Sequence, residues 1–234
     1  NLERPKPFYI ECNPRIILDD IVCLFNEMVT KGNSENIHGL GFAFQRSTFL
    51  FWEKSTCTPL TPAISWQDSR ATVILDRFKK YEREVWNITG APLSAHFGGP
   101  KFYHMVQNNK SIKKKAKSGE VYFGPLSAFI VHAVTGKAAI DESIAGRTLM
   151  YDLHSGRWSK FTLDLFDVPI DCLPPIKPVK YEYGNFLTSE IPVLAVIGDQ
   201  QSALIGQSGL KKYTIGANFG TSASIQSNVG SKPV

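Results

Sequence analysis

Gln45 and Arg46 are the first polar residues that could do chemistry, because they interrupt a stretch of chain that is otherwise apolar and aromatic. Arginine offers a rigid fork of donors, and glutamine offers both a donor and an acceptor. Side by side, they suit a ligand that is rich in hydroxyl groups. For these two residues alone, an exposed arginine in a surface hairpin turn is the simpler alternative.

A second polar segment, Trp66-Gln67-Asp68-Ser69-Arg70, also follows a short apolar stretch. An aromatic ring beside amide, carboxylate and guanidinium groups can stack on a sugar and form hydrogen bonds with it. The alternative is a core tryptophan followed by a helix that Asp68 caps.

Asp199 and Gln200 follow a buried-strand pattern at residues 191–197. A carboxylate placed where a strand ends and a helix begins can accept a proton from a substrate hydroxyl. Aspartate is also a preferred helix N-cap, which gives the alternative interpretation of Asp199.

Two further features carry a weaker signal. Gly220-Thr221 combines a glycine, which lets backbone N–H groups approach a phosphate, with a hydroxyl donor. No lysine follows at the place a Walker A loop requires, and an ordinary hairpin is the alternative. His96 stands in a predicted loop and could contact a ligand.

The elements that must position these residues alternate between strand and helix patterns, which favours an α/β or α+β class. Functional groups in α/β sheets tend to lie at the carboxyl ends of strands, where the three polar segments are predicted. Positions 92 to 100 predict a loop, and residues 212–227 predict strands and turns with Gly216 and Gly220 as corners. We predict strands over residues 8–12, 37–44, 48–52, 63–66 and 191–197, and helices from Asn13-Pro14 to Gly32 and over 72–86, 122–134 and 200–207.

Composition excludes several classes of protein. Hydrophobic residues make up 43% and charged residues 20% of the 234, which is enough to fill a core and argues against wholesale disorder. The net charge of +5 is mild, and its only dense run, Lys113-Lys114-Lys115, is typical of a solvated helix or loop. No apolar run approaches the ~20 residues of a membrane span. Four scattered cysteines without nearby histidines predict no zinc site and favour the reducing cytoplasm.

In order along the chain, these segments resemble the N-terminal domain of the FGGY family of carbohydrate kinases. The glycine-rich stretch near His96 resembles the family's Tyr-Phe-Ser-x-x-Lys segment, which places Lys101 at the lysine. Any one piece is weak, but the ordered set is strong and covers nearly the whole chain. The matching segments are Gln45-Arg46, residues 62–70, 93–101 and 119–136, Gly198-Asp199-Gln200-Gln201 and Phe219-Gly220-Thr221-Ser222.

The resemblance implies an α/β, ribonuclease-H-like fold of the actin, sugar-kinase and Hsp70 type. Residues 1–234 are then expected to be the N-terminal domain of a two-domain kinase, without the family's first Asp-x-Gly-Thr hairpin and its C-terminal domain. Such a chain is predicted to be inactive alone. Glycerol kinases have Glu where Ser47 stands and Tyr where His96 stands, which weakens the case for glycerol as the substrate.

The implied activity is ATP-dependent phosphorylation of a hydroxyl on a small sugar or polyol, with ATP and Mg²⁺ required. The resemblance implies no nucleic-acid partner and no membrane partner, and it is compatible with a homodimer. By the same resemblance, Asp199 is the catalytic base, Gly220 and Thr221 bind phosphate, and no residue is assigned to a metal. The substrate ligands implied are Gln45, Arg46, Trp66, His96 and Gln200.

Two other classes compete with this hypothesis. A catalytically inactive sugar-binding or regulatory relative would keep Arg46 and Trp66 but would not need Asp199 or Thr221. A basic nucleic-acid-binding module would need aromatic residues interleaved with its basic stripe, and the lysine run at 113–115 has no aromatic neighbours.

Overall fold

The computed structural model describes residues 2–32, 36–207, 209–219 and 223–233. Within them the chain forms fourteen strands and eight α-helices. The strands are β1 (Leu2–Glu3), β2 (Glu11–Cys12), β3 (Leu40–Phe44), β4 (Phe49–Glu53), β5 (Ala63–Ile64), β6 (Val121–Pro125), β7 (Ile140–Asp141), β8 (Tyr151–Asp152), β9 (Arg157–Trp158), β10 (Ile176–Lys177), β11 (Lys180–Asn185), β12 (Pro192–Gly198), β13 (Ile215–Phe219) and β14 (Ala223–Ser227). The α-helices are α1 (Pro14–Lys31), α2 (Glu82–Thr89), α3 (Gly98–Asn108), α4 (Lys110–Lys117), α5 (Leu126–Thr135), α6 (Glu142–Ala145), α7 (Lys160–Leu165) and α8 (Asp199–Gly206), and the 3-10 helices span Arg70–Arg77, Lys79–Tyr81 and Ile170–Cys172.

The larger sheet has the strand order β1-β2-β5-β4-β6, and all its neighbours are antiparallel. Strand β4 is buried on both faces, and alternate side chains point to opposite sides of the sheet. Leu50 and Trp52 pack into one apolar core, whereas Phe49 and Phe51 pack into a second. This sheet therefore separates the two cores of the described residues.

The second sheet has the order β11-β12-β3, and β12 runs parallel to β3. The register places Gly198 opposite Phe44, so the two strands end side by side. The strand predicted at 191–197 is confirmed, and the one predicted at 37–44 shortens to β3. The residues that follow β3 and β12 leave the sheet at the same edge. The remaining pairs are β7 with β10, β8 with β9, and β13 with β14.

Helix α1 begins and ends where the sequence predicts. Asn13 accepts a hydrogen bond from the Arg15 N–H, Pro14 takes the first helical position, and the Gly32 N–H donates to Met28 at 2.8 Å. Helix α8 confirms the helix predicted over 200–207, beginning one residue earlier. No helix within the described ranges combines the length and the apolarity that a membrane crossing needs.

The predicted loop at positions 98–100 is wrong, because α3 begins at Gly98. The glycines there serve close packing rather than a turn. A Cβ at Gly98 would lie 2.9 Å from the Phe49 ring, and one at Gly99 would overlap the Phe166 ring. Only glycine lets this helix start rest directly on two aromatic side chains.

Other predicted boundaries need correction. The apolar stretch at 122–134 is strand β6 followed by helix α5, and Pro125 is the N-cap that separates them. The predicted helix over 72–86 is mostly 3-10, and only α2 is α-helical. Gly216 lies inside β13 instead of at a corner, and Gly220 lies outside the described residues. The strands predicted at 8–12 and 63–66 shorten to β2 and β5.

Candidate active site

A cavity of about 360 Å³ opens where β3 and β12 end. The six predicted substrate and catalytic residues that the structure describes all line it, although the chain brings them from four separate segments. The lining residues are Gln45, Arg46, Ser47, Trp66, His96, Arg147, Asp199, Gln200 and Ser224.

Arg46 and Asp199 face each other across the ends of the two parallel strands. The Arg46 Nε lies 3.5 Å from the Asp199 Oδ1, and its terminal nitrogen donates to the Gln201 Oε1 at 3.4 Å. Burial lowers the pKa of Arg46, and the nearby Asp199 carboxylate partly opposes that effect. Arg46 is half-buried, so its interpretation as an exposed hairpin residue is wrong.

Gly198 allows this approach. A Cβ at Gly198 would lie 2.8 Å from the Arg46 Cδ and 2.7 Å from the Gln201 Oε1. Any larger residue would therefore push Arg46 away from the start of α8.

Asp199 is the first residue of α8, but it does not cap the helix. Gly198 occupies the N-cap position without a side-chain bond, and the Asp199 Oδ1 accepts only the adjacent Gln200 N–H, at 2.8 Å, within the described residues. The Asp199 side chain is 46% exposed and opens onto the cavity. A carboxylate in this position can accept a proton from a hydroxyl of a bound ligand.

Gln200 is held by β14. The Ser224 hydroxyl donates to the Gln200 Oε1 at 2.6 Å, and the Gln226 Nε2 donates to the Gln200 carbonyl at 2.8 Å. With its side-chain oxygen engaged by Ser224, the Gln200 amide N–H₂ is left to donate to a ligand.

Trp66 and His96 form the opposite wall, with ring centroids 6.1 Å apart in an edge-to-face arrangement. Trp66 is 39% exposed, so its interpretation as a core residue is wrong. Burial, together with the positive charges of Lys101, Arg147 and Arg46, lowers the pKa of His96 to about 4. The imidazole is therefore neutral at physiological pH and offers one donor and one acceptor.

Asp68 and Arg70 do not belong to the cavity. The Arg70 guanidinium lies 2.8 Å from Asp68 and 2.7 Å from Glu11, and Asp68 also accepts the Ile10 N–H at 2.6 Å. These buried contacts join the chain near β2 to the residues after Trp66, so this half of the polar segment is structural.

Two predicted residues, Gly220 and Thr221, lie outside the described residues. Within the residues that the structure does describe, no group of three or more His, Cys, Asp or Glu side chains could hold a metal ion.

The sequence model of the FGGY family of carbohydrate kinases, N-terminal domain, matches residues 1–206. The chain belongs to the FGGY family of carbohydrate kinases. It is 31% identical to glycerol kinase 1 of Thermotoga maritima, over 98% of this chain and 49% of that protein. It is 32% identical to the glycerol kinase of Bacillus cereus, with the same coverage. The chain thus spans about half the length of the curated relatives it matches.

Solved structures of FGGY kinases share the fold. The glycerol kinase of Plasmodium falciparum, determined with ADP, superposes with a TM-score of 0.91 at 27% identity, over 96% of this chain and 47% of that one. The xylulose kinase of Lactobacillus acidophilus superposes with a TM-score of 0.85 at 20% identity, again over 96% of this chain and 47% of that one. The fold is the ribonuclease-H-like fold of the actin and sugar kinase type, as predicted.

Arg147 is the main cavity residue that sequence reasoning missed. It follows α6, and its guanidinium lies over the Phe97 ring, 4.5 Å from the centroid. Burial lowers the pKa of Arg147 to about 10, and the charge of Arg46 acts in the same direction, whereas Asp199 opposes it. No predicted strand ends at Arg147, and only the tertiary fold brings it into the same cavity as Asp199.

Proposed function

We propose that the protein transfers the terminal phosphoryl group of ATP to a hydroxyl of a small sugar or polyol bound in this cavity. The observation that carries the proposal is that an open carboxylate, Asp199, shares one cavity with the predicted sugar ligands. The matched kinases are about twice the length of this chain, and the activity is proposed for the native protein.

The wall of the cavity suits a polyhydroxylated ligand. Trp66 offers a ring face, Gln45 and Gln200 offer amides, and His96 offers a neutral imidazole. Arg46 is tied to Asp199 and Gln201 by long contacts, which leaves part of its donor fork for a hydroxyl.

Asp199 is the proposed catalytic base. The substrate hydroxyl oxygen forms a bond to the γ-phosphorus of ATP, the bond from that phosphorus to the β,γ-bridging oxygen breaks, and ADP leaves. The hydroxyl proton passes to Asp199. Because phosphoryl transfer has a loose transition state, positioning and charge stabilisation contribute most of the catalysis, and the base can act late.

ATP requires a divalent cation in most kinases. No cluster of three or more His, Cys, Asp or Glu side chains lies ready for it among the described residues. Gly220 and Thr221 remain the proposed phosphate ligands, and the cytoplasm remains the predicted location.

A coupled assay of ADP release tests the proposal, with the native protein, ATP and a panel of glycerol, tetroses, pentuloses, pentitols and sugar acids. Phosphorus NMR of the products distinguishes transfer from ATP hydrolysis. We expect at least one compound to give ADP and a sugar phosphate ester in equal amounts. If no compound of the panel is phosphorylated, the proposed function is wrong.

A further inference from the structure

Ser224 lines the candidate cavity from β14 and carries an oxygen that can accept a hydrogen bond. Two of the charged residues of the same wall, Arg46 and Arg147, can only donate. The third, Asp199, is the proposed base for the reacting hydroxyl. Any other hydroxyl of a bound polyol has a proton of its own to donate, so it needs a further acceptor in the wall.

Hydrogen bonds between α8 and β14 fix the orientation of two side-chain amides. The Gln226 Nε2 lies 2.8 Å from the Gln200 main-chain carbonyl, which can only accept, so the group at that place must be the N–H₂. The same Nε2 lies 3.4 Å from the Gln200 Oε1. A nitrogen of Gln200 there would set two donors against each other, so the Gln200 side chain presents its oxygen to β14.

The orientation of Gln200 determines the direction of the Ser224 hydroxyl. The Ser224 Oγ lies 2.6 Å from the Gln200 Oε1, and an amide oxygen has no proton to give. The hydroxyl therefore donates its single proton to Gln200, and its lone pairs remain as acceptors. At the other end of the same amide, the Gln200 N–H₂ group remains a donor.

The donor and the acceptor are held in fixed relative positions. Gln200 is bonded to β14 through its main-chain carbonyl and through its Oε1. A further bond joins α8 to the same hairpin, because the Gln207 Nε2 lies 2.6 Å from the Asn218 Oδ1 on β13. A donor beside an acceptor is complementary to a hydroxyl group, which can accept and donate at once. A methylene group can do neither.

We infer that Ser224 and Gln200 together bind one hydroxyl of the substrate, and that Ser224 is a specificity-determining residue. The Gln200 N–H₂ donates to the oxygen of that hydroxyl, and the hydroxyl donates its proton to the Ser224 Oγ. Because adjacent residues of a helix point in different directions, this hydroxyl is not the one at Asp199. The inference rests on the proposed function and adds a second required hydroxyl to it.

Monodeoxy analogues of the substrate test the inference, because each replaces one hydroxyl with hydrogen. The probes are glycerol with propane-1,2-diol and propane-1,3-diol, erythritol with butane-1,2,3-triol and butane-1,2,4-triol, and the pentitols and pentuloses with their monodeoxy forms. For the native protein, the analogue that lacks the bound hydroxyl is expected to lose about tenfold to 100-fold in kcat/KM, since two hydrogen bonds are lost. Ser224→Ala is expected to reduce that loss by about three- to tenfold and to leave the losses of the other analogues unchanged.

Two further variants serve as controls. Ser224→Thr keeps a hydroxyl at the same position and is expected to keep the native pattern of losses. Ser227→Ala removes an exposed hydroxyl of β14 that does not line the cavity, and it is also expected to keep that pattern. If Ser224→Ala lowers kcat/KM by the same factor for the substrate and for every analogue, Ser224 only holds Gln200 in place and the inference is wrong. An unchanged kcat/KM for all compounds contradicts it as well.

The failure of the inference differs from the failure of the proposed function. Phosphorylation with the same pattern of losses in the native protein and in Ser224→Ala overturns the inference and leaves the kinase intact. If no compound is phosphorylated, the proposed function is wrong, and calorimetric titration with the same compounds decides the inference. Weaker binding of one analogue, with a difference that Ser224→Ala reduces, supports it. Equal binding of a polyol and all its analogues, or no binding of any compound, contradicts it.

Discussion

The Lys101 ammonium group donates a hydrogen bond to the main-chain carbonyl of Ser47 at 2.8 Å, although 54 positions separate the two residues. The same group donates to the Ser65 carbonyl at 2.7 Å. Lys101 is fully buried, and burial lowers its pKa to about 7. One side chain from α3 therefore fixes both segments that carry the predicted sugar ligands, one next to Arg46 and the other next to Trp66.

Lys101→Met is expected to destabilise the protein and to weaken sugar binding together. It leaves the Ser47 carbonyl without its donor, whereas the Ser65 carbonyl still accepts the Asp68 N–H at 3.0 Å. An unsatisfied buried group costs about 1–3 kcal/mol. We expect a lower Tm and a higher KM for the sugar. Lys110→Met, at an exposed position of α4, is the matched control. A Lys101→Met variant with the Tm and KM of the control would contradict this positioning role.

Lys101 also shows which parts of the site could be predicted from the sequence and which could not. Its place in a family-like motif is visible in the sequence, but the two carbonyls that it joins come from loops whose approach depends on the whole fold. The cavity residues at strand ends were predictable because strand patterns locate the carboxyl ends of β3 and β12. Arg147 was not, since its segment carries no periodic pattern and its place in the cavity depends on packing against Phe97.

Ser143 is expected to help to position Asp199. Its hydroxyl accepts the Gly198 N–H at 2.8 Å and donates to the Asp141 carboxylate, so it fixes the backbone just before the proposed base. Ser143→Ala leaves that buried N–H unpaired, and we expect kcat to fall by more than KM rises, because Asp199 loses its alignment.

The comparison for Ser143→Ala is Ser155→Ala, which removes an exposed hydroxyl that donates to Asp152 away from the cavity. Steady-state kinetics at one temperature, with melting curves for both variants, separate the two effects. A loss of Tm in Ser143→Ala without any change in kcat would show that Ser143 has only a structural role.

Asp141 should make the free energy of unfolding depend on pH in a defined direction. It is fully buried, and burial raises its carboxyl pKa from 3.8 to about 6, against the hydrogen bonds from Ser143 and Ile144. Between these pH values the folded state holds a proton that the unfolded state has lost, so this group's contribution to stability is lost as the pH rises. Asp141→Asn cannot ionise. The free energy of unfolding of the variant, minus that of the unaltered protein, should increase as the pH rises from 3.8 to 6.

Asp152→Asn is the control, because its effect on stability should change with pH in the opposite direction. Burial raises the Asp152 pKa, but the hydrogen bonds from His154 and Ser155 together outweigh it, so the pKa is lowered. The stability from Asp152 is present above the unfolded pKa of 3.8 and is lost as the pH falls below it, so here the difference should decrease as the pH rises toward 3.8 and stay nearly level above it. Urea denaturation at pH values from below 3.8 up to 6 measures both differences. Equal slopes for the two variants would contradict the account of Asp141.

His96 should stay neutral through the range in which an ordinary histidine titrates. Burial and the neighbouring cations lower its pKa from 6.5 to about 4. The stability that follows from the neutral form is lost as the pH falls from 6.5 toward 4, because the unfolded chain takes up the proton first. An NMR titration of the ring protons, assigned with His96→Gln, is expected to give a midpoint near 4. A midpoint near 6.5 would contradict the buried, cation-lined position of His96.

For physical reasons, the sequence did not predict where some helices and strands begin and end. The stretch from Val121 to Thr135 is apolar throughout, so its pattern does not separate a buried strand from a buried helix. Gly98 and Gly99 suggest a loop, because the aromatic rings that require glycine there come from distant segments. The alternative interpretation of Asp199 as a helix cap was equally open, and the bonds around Gly198 decide against it.

Asp199→Asn tests the central claim most directly. Asparagine is isosteric and retains an oxygen for the Gln200 N–H, so the melting temperature should stay close to that of the matched variant Asp19→Asn, an exposed change on α1. It cannot accept the hydroxyl proton, and the loss of a general base lowers the rate by about 10² to 10⁴. The measurement is kcat of the native protein with its best substrate from the panel. We expect a fall of that size with the fold retained, and a kcat close to that of Asp19→Asn would show that Asp199 is not the catalytic base.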